Sequence, residues 1–530
     1  MNLLLVEVGG AYYSDLIKKL EGKGLRVSHF TSAKNQAFLD SVDVDSHQKK
    51  SIDVRHLYDI KKIRKYYGDY CILLTFDIID FFTFIERDFF ILTDRANFHS
   101  ICVRERKRLY FELIRFWIGY LKTENIDAVY FPYTPHSPGE LVLMQAAKYL
   151  KIPYCILSHT AINNRSIFRT CYRTLEKVPE EYLKDKTSDE IISSVHVDLY
   201  DDYTAESIVT SVVKLQNDLF QKQVGINANT EKYNEFYKKE LKRKSFGKHI
   251  NKLKDVVKST LIYLSGSEKT FRFATAMDKT HRFLGWERSV AKHRRYANQL
   301  KAKYESLTED IDLDQAYIYF PLHLQPELTS QPEAGYFEDQ YLALETLLQA
   351  LPEDTFVYVK ENPRQFDINI NTLSAMHFRD TYDYDLFTKD PRVKFVPQSI
   401  KSEELIEKAQ ITVTLTGTAG WEALELGKPC ITFGSPWYSP CPSCFVVKTP
   451  ADIKSALIRA KRKTKDMVKD DVLRYLSYYQ DRLVISTLHD PTNVSYNSIP
   501  YDVLVDSHAQ ALADLFKARL SNHEIKKKSS

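Results

Sequence analysis

The stretch Ile411–Tyr438, ITVTLTGTAGWEALELGKPCITFGSPWY, restricts what this chain can fold into more than any other. Its apolar, β-branched opening, Ile411–Leu415, predicts a strand buried on both faces. Thr416, Gly417, Thr418, Ala419 and Gly420 follow, small residues whose backbone can approach a ligand closely. Trp421–Leu426 predicts a helix, with Gly427 just past its end and Lys428-Pro429 beyond. Cys430–Phe433 then reads as a second buried strand ending in Gly434-Ser435-Pro436. In such a strand–turn–helix–strand unit, the exposed N–H groups and positive dipole end at the helix start suit a phosphate. Glu422, one turn into the helix, can accept hydrogen bonds from ribose hydroxyls. An ordinary turn inside an α/β core would carry the same pattern.

The order of small residues, then a glutamate, then Gly-Lys-Pro resembles the donor half of GT-B glycosyltransferases and the related nucleotide-sugar epimerases. The phrase TGTAGWEALELGKPCITFG, with Trp437-Tyr438 after it, is similar to capsule and surface-polysaccharide biosynthesis enzymes. Retaining β-Kdo transferases, which build capsule linkers, are among them.

At 530 residues the chain is too long for one core, so two domains are expected. Hydrophobic content of 44% and charged content of 27% are those of a soluble globular protein. With 34 Tyr and 29 Phe, stacking surfaces or a dense aromatic core are expected. A net charge of +4 does not argue for a nucleic-acid partner. No apolar run approaches the roughly 20 residues of a membrane span. The start, MNLLLVEVGG, lacks a basic n-region and reads as a strand rather than a signal peptide. The seven cysteines are scattered and odd in number, which fits reduced thiols in a cytoplasmic protein. Cys441-Pro442-Ser443-Cys444 is a lone CxxC with no second ligand pair nearby, so no metal is expected.

Leu3–Val8 predicts the first buried strand, Gly9-Gly10 a turn, Tyr12–Leu20 a helix and Leu25–Phe30 a second strand. This β-α-β opening suggests a doubly wound domain. Ile52–Tyr70 reads as polar and helical, Arg104–Leu121 as a helix and Ala128–Phe131 as a strand. From that strand runs a loop stiffened by Pro132, Pro135 and Pro138, then a helix at Leu141–Leu150 and a strand at Ile152–Leu157. α/β proteins place ligands at the carboxyl ends of strands. Glu140 there can serve as general acid or base with His136 positioning substrate; it can equally be a first-turn acid that favours the helix dipole. In the polysaccharide enzymes an acidic residue follows a Pro-His-Ser-Pro loop of this type, which favours the catalytic role. Asn163, Asn164 and Arg165 are further candidates for acceptor contacts.

Lys239, Lys242, Arg243, Lys244, Lys248, Lys252 and Lys254, then Lys292, His293, Arg294, Arg295 and Lys301, mark a glycine-poor, helical, basic connector. It is either a solvated face or a surface for anionic lipid head groups. Tyr317–Phe320 opens the second α/β domain. The loop after it carries His323, Gln325, Glu327, Gln331, Glu333, Asp339 and Gln340, followed by a helix at Tyr341–Leu351. This loop also resembles the polysaccharide family, where a Leu-His-x-Gln-Pro-Glu phrase begins the donor domain. The resemblance implies a donor contact for Gln325 and makes Glu327 the nearest match to a nucleophilic carboxylate. Phe356–Lys360 predicts a strand leading to Asn362, which stands where related transferases have Lys-x-His-Pro; Lys360 or Arg364 would then supply the charge. Val393–Val396 predicts a strand, Ser402–Ala409 a helix, and the ending from Asp481 is mostly helical.

The expected fold is therefore α/β and GT-B-like, two Rossmann-like domains facing a cleft. The expected boundaries are 1–230 for an acceptor domain, 231–312 for the connector, 313–482 for a nucleotide-sugar donor domain and 483–530 for a helical segment crossing back. The expected activity is transfer of a sugar, Kdo or a related acidic one, from a nucleotide-activated donor to a surface polysaccharide or glycolipid. A CMP-sugar is favoured, with a UDP-sugar as the alternative, and no cofactor is needed. Glu140, Glu327 and His136 are the catalytic candidates. Gln325, Lys360, Asn362, Thr416, Gly417, Thr418, Ala419, Gly420 and Glu422 are the donor-binding candidates. An epimerase or hydrolase on the same fold, or a non-catalytic polysaccharide-binding or assembly protein, are the rival readings. The expected location is cytoplasmic, at an anionic membrane face.

Overall fold

The computed structural model describes residues 1–32, 36–42, 49–95, 102–162, 165–179, 283–366, 375, 378–486 and 501–528. Thirteen strands among them form two sheets. The first contains β1 (Asn2–Leu5), β2 (Arg26–Ser32), β3 (Lys50–Asp53), β4 (Ala128–Phe131), β5 (Tyr154–His159) and β6 (Arg165–Arg169). The second contains β7 (Tyr317–Pro321), β8 (Phe356–Lys360), β9 (Val393–Phe395), β10 (Ile411–Thr414), β11 (Cys430–Thr432) and β12 (Cys444–Val446). A last strand, β13 (Leu483–Ile485), returns to the first sheet.

The strand order is the informative feature. The first sheet runs β13-β6-β5-β4-β1-β2-β3, parallel from β5 to β3, with β6 and β13 antiparallel at one edge. The second runs β12-β11-β10-β7-β8-β9 and is parallel throughout. Each sheet grows outward from its first strand in one direction, then jumps back and grows the other way. The reversal lies between β1 and β4 in one sheet and between β7 and β10 in the other. In doubly wound sheets the crevice at this reversal is where ligands bind.

Burial on both faces explains why the strands read as near-continuous apolar runs. Leu4, Val129 and Phe131 point into a core with helices Phe76–Arg95, Val103–Thr123 and Pro138–Tyr149. Leu3, Leu5 and Tyr130 point to the opposite face, as a period of two requires. That face is covered by helix Gly10–Gly22 and by helix Tyr501–Lys528, which brings Leu504, Leu512 and Phe516 onto the first sheet. The second sheet is sandwiched likewise, with Ile318, Phe320, Val357 and Val413 on one face and Tyr317, Tyr319 and Tyr358 on the other. The latter cluster also takes in Ile167 and Val178 from the first domain, so apolar packing joins the two.

The chain is thus α/β, with two Rossmann-like domains arranged in the GT-B manner and their strand ends facing one another. Helix Phe283–Leu307 places Leu300 and Tyr304 in the second core, while Arg294, Arg295 and Lys301 are exposed. The basic cluster from Lys239 to Lys254 lies outside the described residues. One expectation needs correction. Ile52 and Asp53 end an edge strand, Lys50–Asp53, rather than opening the helical stretch expected over Ile52–Tyr70, and a single apolar residue leaves no period to read. Among the described residues the ending is mostly helical, as expected, and also holds β13, whose three residues pair with Arg165, Ser166 and Ile167 and are too few to show alternation.

His508 pins the returning helix. Its ring nitrogens share hydrogen bonds with the Tyr12 hydroxyl at 2.7 Å and the Tyr130 hydroxyl at 2.9 Å, and the ring is fully buried. Burial pushes its pKa down to about 3, so the folded chain holds it neutral. The unfolded chain takes up a proton near pH 6.5, hence this contribution is complete above that pH and is lost as pH falls toward 3. The loss is about 1.4 kcal/mol per pH unit. Chemical unfolding from pH 7 to 5 should show an acid-side slope that becomes shallower by this amount in His508→Asn.

Candidate functional site

Glu7 lies just past β1, in the left-handed region at φ 47. Its N–H donates to Thr31 Oγ1 at 2.6 Å, and its carboxylate accepts from the Tyr133 hydroxyl at 2.7 Å. Beyond the switch point, β4 leads into the proline-rich loop and then helix Pro138–Tyr149. Ser137 caps that helix and Glu140 completes a capping box. Glu140 Oε2 accepts the N–H groups of His136 and Ser137, both at 3.1 Å. Only 4% of Glu140 is exposed; its other oxygen, Oε1, is buried without a hydrogen-bond partner, and the Glu7 carboxyl is its acidic neighbour. Burial, then the charge of Glu7, holds the Glu140 pKa well above the carboxylate range.

His136 donates from Nδ1 to the Thr134 carbonyl at 3.0 Å. Burial, helped by nearby Arg95, pushes its pKa down to about 3, so it is neutral with Nε2 as its basic nitrogen. Arg95, at the end of helix Phe76–Arg95, donates to the Gln331 carbonyl of the second domain at 3.1 Å. It sits in the field of both Glu327 and Glu140, while burial lowers its pKa to about 10. A second bridge links the domains nearby: Thr134 Oγ1 donates to Glu333 Oε1 at 2.6 Å. Arg169 donates to the Ser435 carbonyl at 3.1 Å, and its charge counters the burial that raises Glu333. The two switch points therefore meet.

On the second domain, Glu327 is half-buried and accepts from the Thr329 hydroxyl at 2.9 Å. The Gly417 N–H donates to Thr414 Oγ1 at 3.3 Å and the Thr416 N–H to His323 Nε2 at 3.3 Å. Gly417 precedes helix Thr418–Glu425, whose start has no side-chain cap. Thr418 is exposed and donates to Glu422 at 2.9 Å; Ala419 is half-buried beside it. The free N–H groups at this helix start are available to an anion.

Away from this helix start, the donor-binding candidates Gln325, Lys360 and Asn362 are engaged too. Gln325 is 4% exposed; its amide donates to the Glu338 carbonyl at 2.7 Å and accepts from Gln340 and Arg379, each at 2.8 Å. With the buried Arg379–Glu361 pair it forms the frame of the 322–339 loop. Lys360 donates its ammonium to the Ile400 carbonyl, and burial lowers its pKa to about 8. Asn362 Oδ1 accepts from the Arg364 N–H at 3.0 Å, closing an Asx turn. Arg165 is buried in β6, whereas Asn163 and Asn164 lie outside the described residues.

The structure thus gathers His136, Glu140 and Glu327 around Arg95, and Thr416, Gly417, Thr418, Ala419, Gly420 and Glu422 around one helix start. Sequence reasoning missed Glu7, Arg95 and Arg169, and singled out His323 and Glu333 only as members of the polar loop after β7. Glu7 follows a strand directly, and that position was a usable signal. Arg95 ends a long helix, and nothing local marks it.

Residues 335–443 match the family described as capsule polysaccharide biosynthesis protein. Protein FixF from Sinorhizobium fredii is 31% identical over 132 residues, which is 24% of this chain and 29% of that protein. The chain therefore matches less than a third of FixF's length. Among solved structures, UDP-GlcNAc 2-epimerase from Methanocaldococcus jannaschii is 12% identical, covering 90% of this chain and 100% of its own, with a TM-score of 0.24. KpsC, a β Kdo 2,7 transferase from Thermosulfurimonas dismutans, is 15% identical over 42% of this chain and 64% of its own, with a TM-score of 0.23. The fold rests on the strand orders of the two sheets.

Gly420 packs under Tyr438. A Cβ there would lie 2.3 Å from the tyrosine hydroxyl, whose O–H donates to the Gly417 carbonyl. Gly420→Ala should cost about 1–3 kcal/mol by overpacking. Adding Tyr438→Phe should recover part of that loss in thermal unfolding, since the nearest clashing atom is gone.

Proposed function

We propose that the protein transfers a sugar from a nucleotide-activated donor to a surface polysaccharide or glycolipid. The observation that carries this reading is the meeting of two Rossmann switch points, one bearing titratable side chains and the other an uncapped helix start. The match of residues 335–443 to capsule polysaccharide biosynthesis proteins supports it, because that segment includes the helix start.

In this reading the nucleotide phosphates lie against the start of helix Thr418–Glu425, which takes in the last three residues of the turn expected over Thr416–Gly420, and are stabilised by the Thr418 and Ala419 N–H groups and the dipole. Glu422 and Thr418 reach the ribose. Gln325, Lys360 and Asn362 shape this half from behind, through the contacts they already make. The sugar then faces the first domain. Glu140, expected as the general acid or base, is buried and spends its carboxyl on the capping box, so it orients the loop; neutral His136, expected to position substrate, takes the acceptor hydroxyl proton through Nε2, and Arg95 steadies the leaving phosphate. Glu327 stabilises positive charge at the anomeric carbon or attacks it, the latter retaining configuration. The helix start and Arg95 take the role a metal would otherwise play. A CMP-activated acidic sugar such as Kdo is the preferred donor and a UDP-sugar the second choice. Work at the cytoplasmic membrane face, through the basic connector, completes the proposal. Among the described residues no helix is long and apolar enough to cross a membrane.

A valine at Gly417 would report poorly on the phosphate site, because a Cβ there already comes within 3.0 Å of His323 Nε2. Exposed Thr418 is the better probe. Thr418→Glu places a negative charge at the helix start and should weaken binding of CMP or UDP at least about tenfold, some 1.4 kcal/mol, in calorimetric titration. Equal affinity in the variant would remove the turn from the donor site. His136→Gln and Glu327→Gln should each lower the rate of transfer about 10²-fold or more while sparing nucleotide affinity. Full turnover in either variant would contradict its role.

A further inference from the structure

We infer that Glu7 and Glu140 hold a single proton between them at neutral pH and form one buried acid unit behind the His136 loop. Glu7 is then a positioning residue that acts through Glu140.

The geometry leaves this pair few alternatives. Glu140 Oε2 is saturated by two backbone N–H groups, while Oε1 is buried with no hydrogen-bond donor, and the Glu7 carboxyl is the acidic side chain that interacts with Glu140. Glu7 takes one donor, the Tyr133 hydroxyl, at 2.7 Å. Both residues line one cavity of about 10 Å³, on the order of a single water, whose walls include Leu57, Trp117 and Leu143. Two carboxylates in contact there cannot both ionise without a large desolvation and repulsion cost. With one proton between them, a carboxyl O–H donates to the facing carboxylate, and Glu140 Oε1 is satisfied.

The surroundings agree. Tyr58, from the turn after β3, faces the pair and is held protonated by burial; Tyr133, from the β4 loop, is held likewise. His136 stays neutral. Among the described residues Arg95 is the cation whose field meets Glu140, and it is shared with Glu327 and tied to the Gln331 carbonyl. One positive charge thus faces one negative charge on the pair. A second ionisation would break the carboxyl–carboxylate bond and draw Arg95 away from Glu327. The consequence for turnover rests on the sugar-transfer reading, but the shared proton does not.

Difference infrared spectra of the intact protein at pH 7 test the proposal. Other buried acids, such as Glu333, Glu361 and Glu422, contribute equally to every sample and cancel. Glu7→Gln and Glu140→Gln should each remove the same carboxylic-acid C=O band, because a glutamine can donate to the remaining carboxylate and leave it ionised. Glutamine is accepted in a capping box, so the helix start survives. Loss of the band in one variant alone, or no loss in either, would overturn the shared proton. If a glutamine variant does not fold, Tyr133→Phe serves instead. It removes a donor to the Glu7 carboxylate and should raise the pH at which the band disappears; an unmoved midpoint overturns the proposal. Nucleotide titration of the same samples separates this result from the donor reading, since failure to bind nucleotide would leave the infrared outcome intact.

Discussion

A buried hydrogen bond between Thr134 and Glu333, 2.6 Å long, joins loops that leave different sheets. Neither group could remain unpaired at that depth without a cost of one to three kcal/mol. The bond therefore fixes how the first domain's β4 loop sits against the second domain's β7 loop. Arg95 and Arg169 make the same crossing by donating to Gln331 and Ser435 carbonyls. Carbonyl acceptors leave these arginines charged toward the space between the domains. That residual charge governs the site, since Arg95 is what Glu140 and Glu327 have in common.

The fold was legible where one segment carries its own pattern. Ile411–Gly427 reads as strand, turn, helix and C′ glycine because each element is local, and Gly427 does adopt a positive φ of 76°. Ala128–Phe131 and Phe356–Lys360 were equally clear, being apolar runs closed by loop residues. β3 and β13 were not, because edge strands of three or four residues depend on a partner for identity.

The site was legible by position more than by role. Reading carboxyl strand ends picked out His136, Glu140 and Glu327, and the structure places all three near one arginine. Sequence could not say that Gln325 would spend its amide on Gln340 and Arg379, or Lys360 its ammonium on Ile400. Those outcomes depend on partners 15 to 54 residues away. Nor could it pair Glu7 with Glu140, whose contact exists only because β1 and β4 lie side by side.

The His508 contacts with Tyr12 and Tyr130 bear on the order in which the protein can be made. Leu3, Leu5, Val27 and Tyr130 leave the ribosome well before the helix around residue 508 that completes the cover over their face. Until Leu504, Leu512 and Phe516 emerge, helix Gly10–Gly22 alone covers this face, and part of its apolar surface stays open to water while the whole second domain is synthesised. At 5–20 residues per second that interval lasts on the order of tens of seconds. Within it the nascent first domain is a natural client for a chaperone that holds apolar surface, and the second domain can finish its own core first.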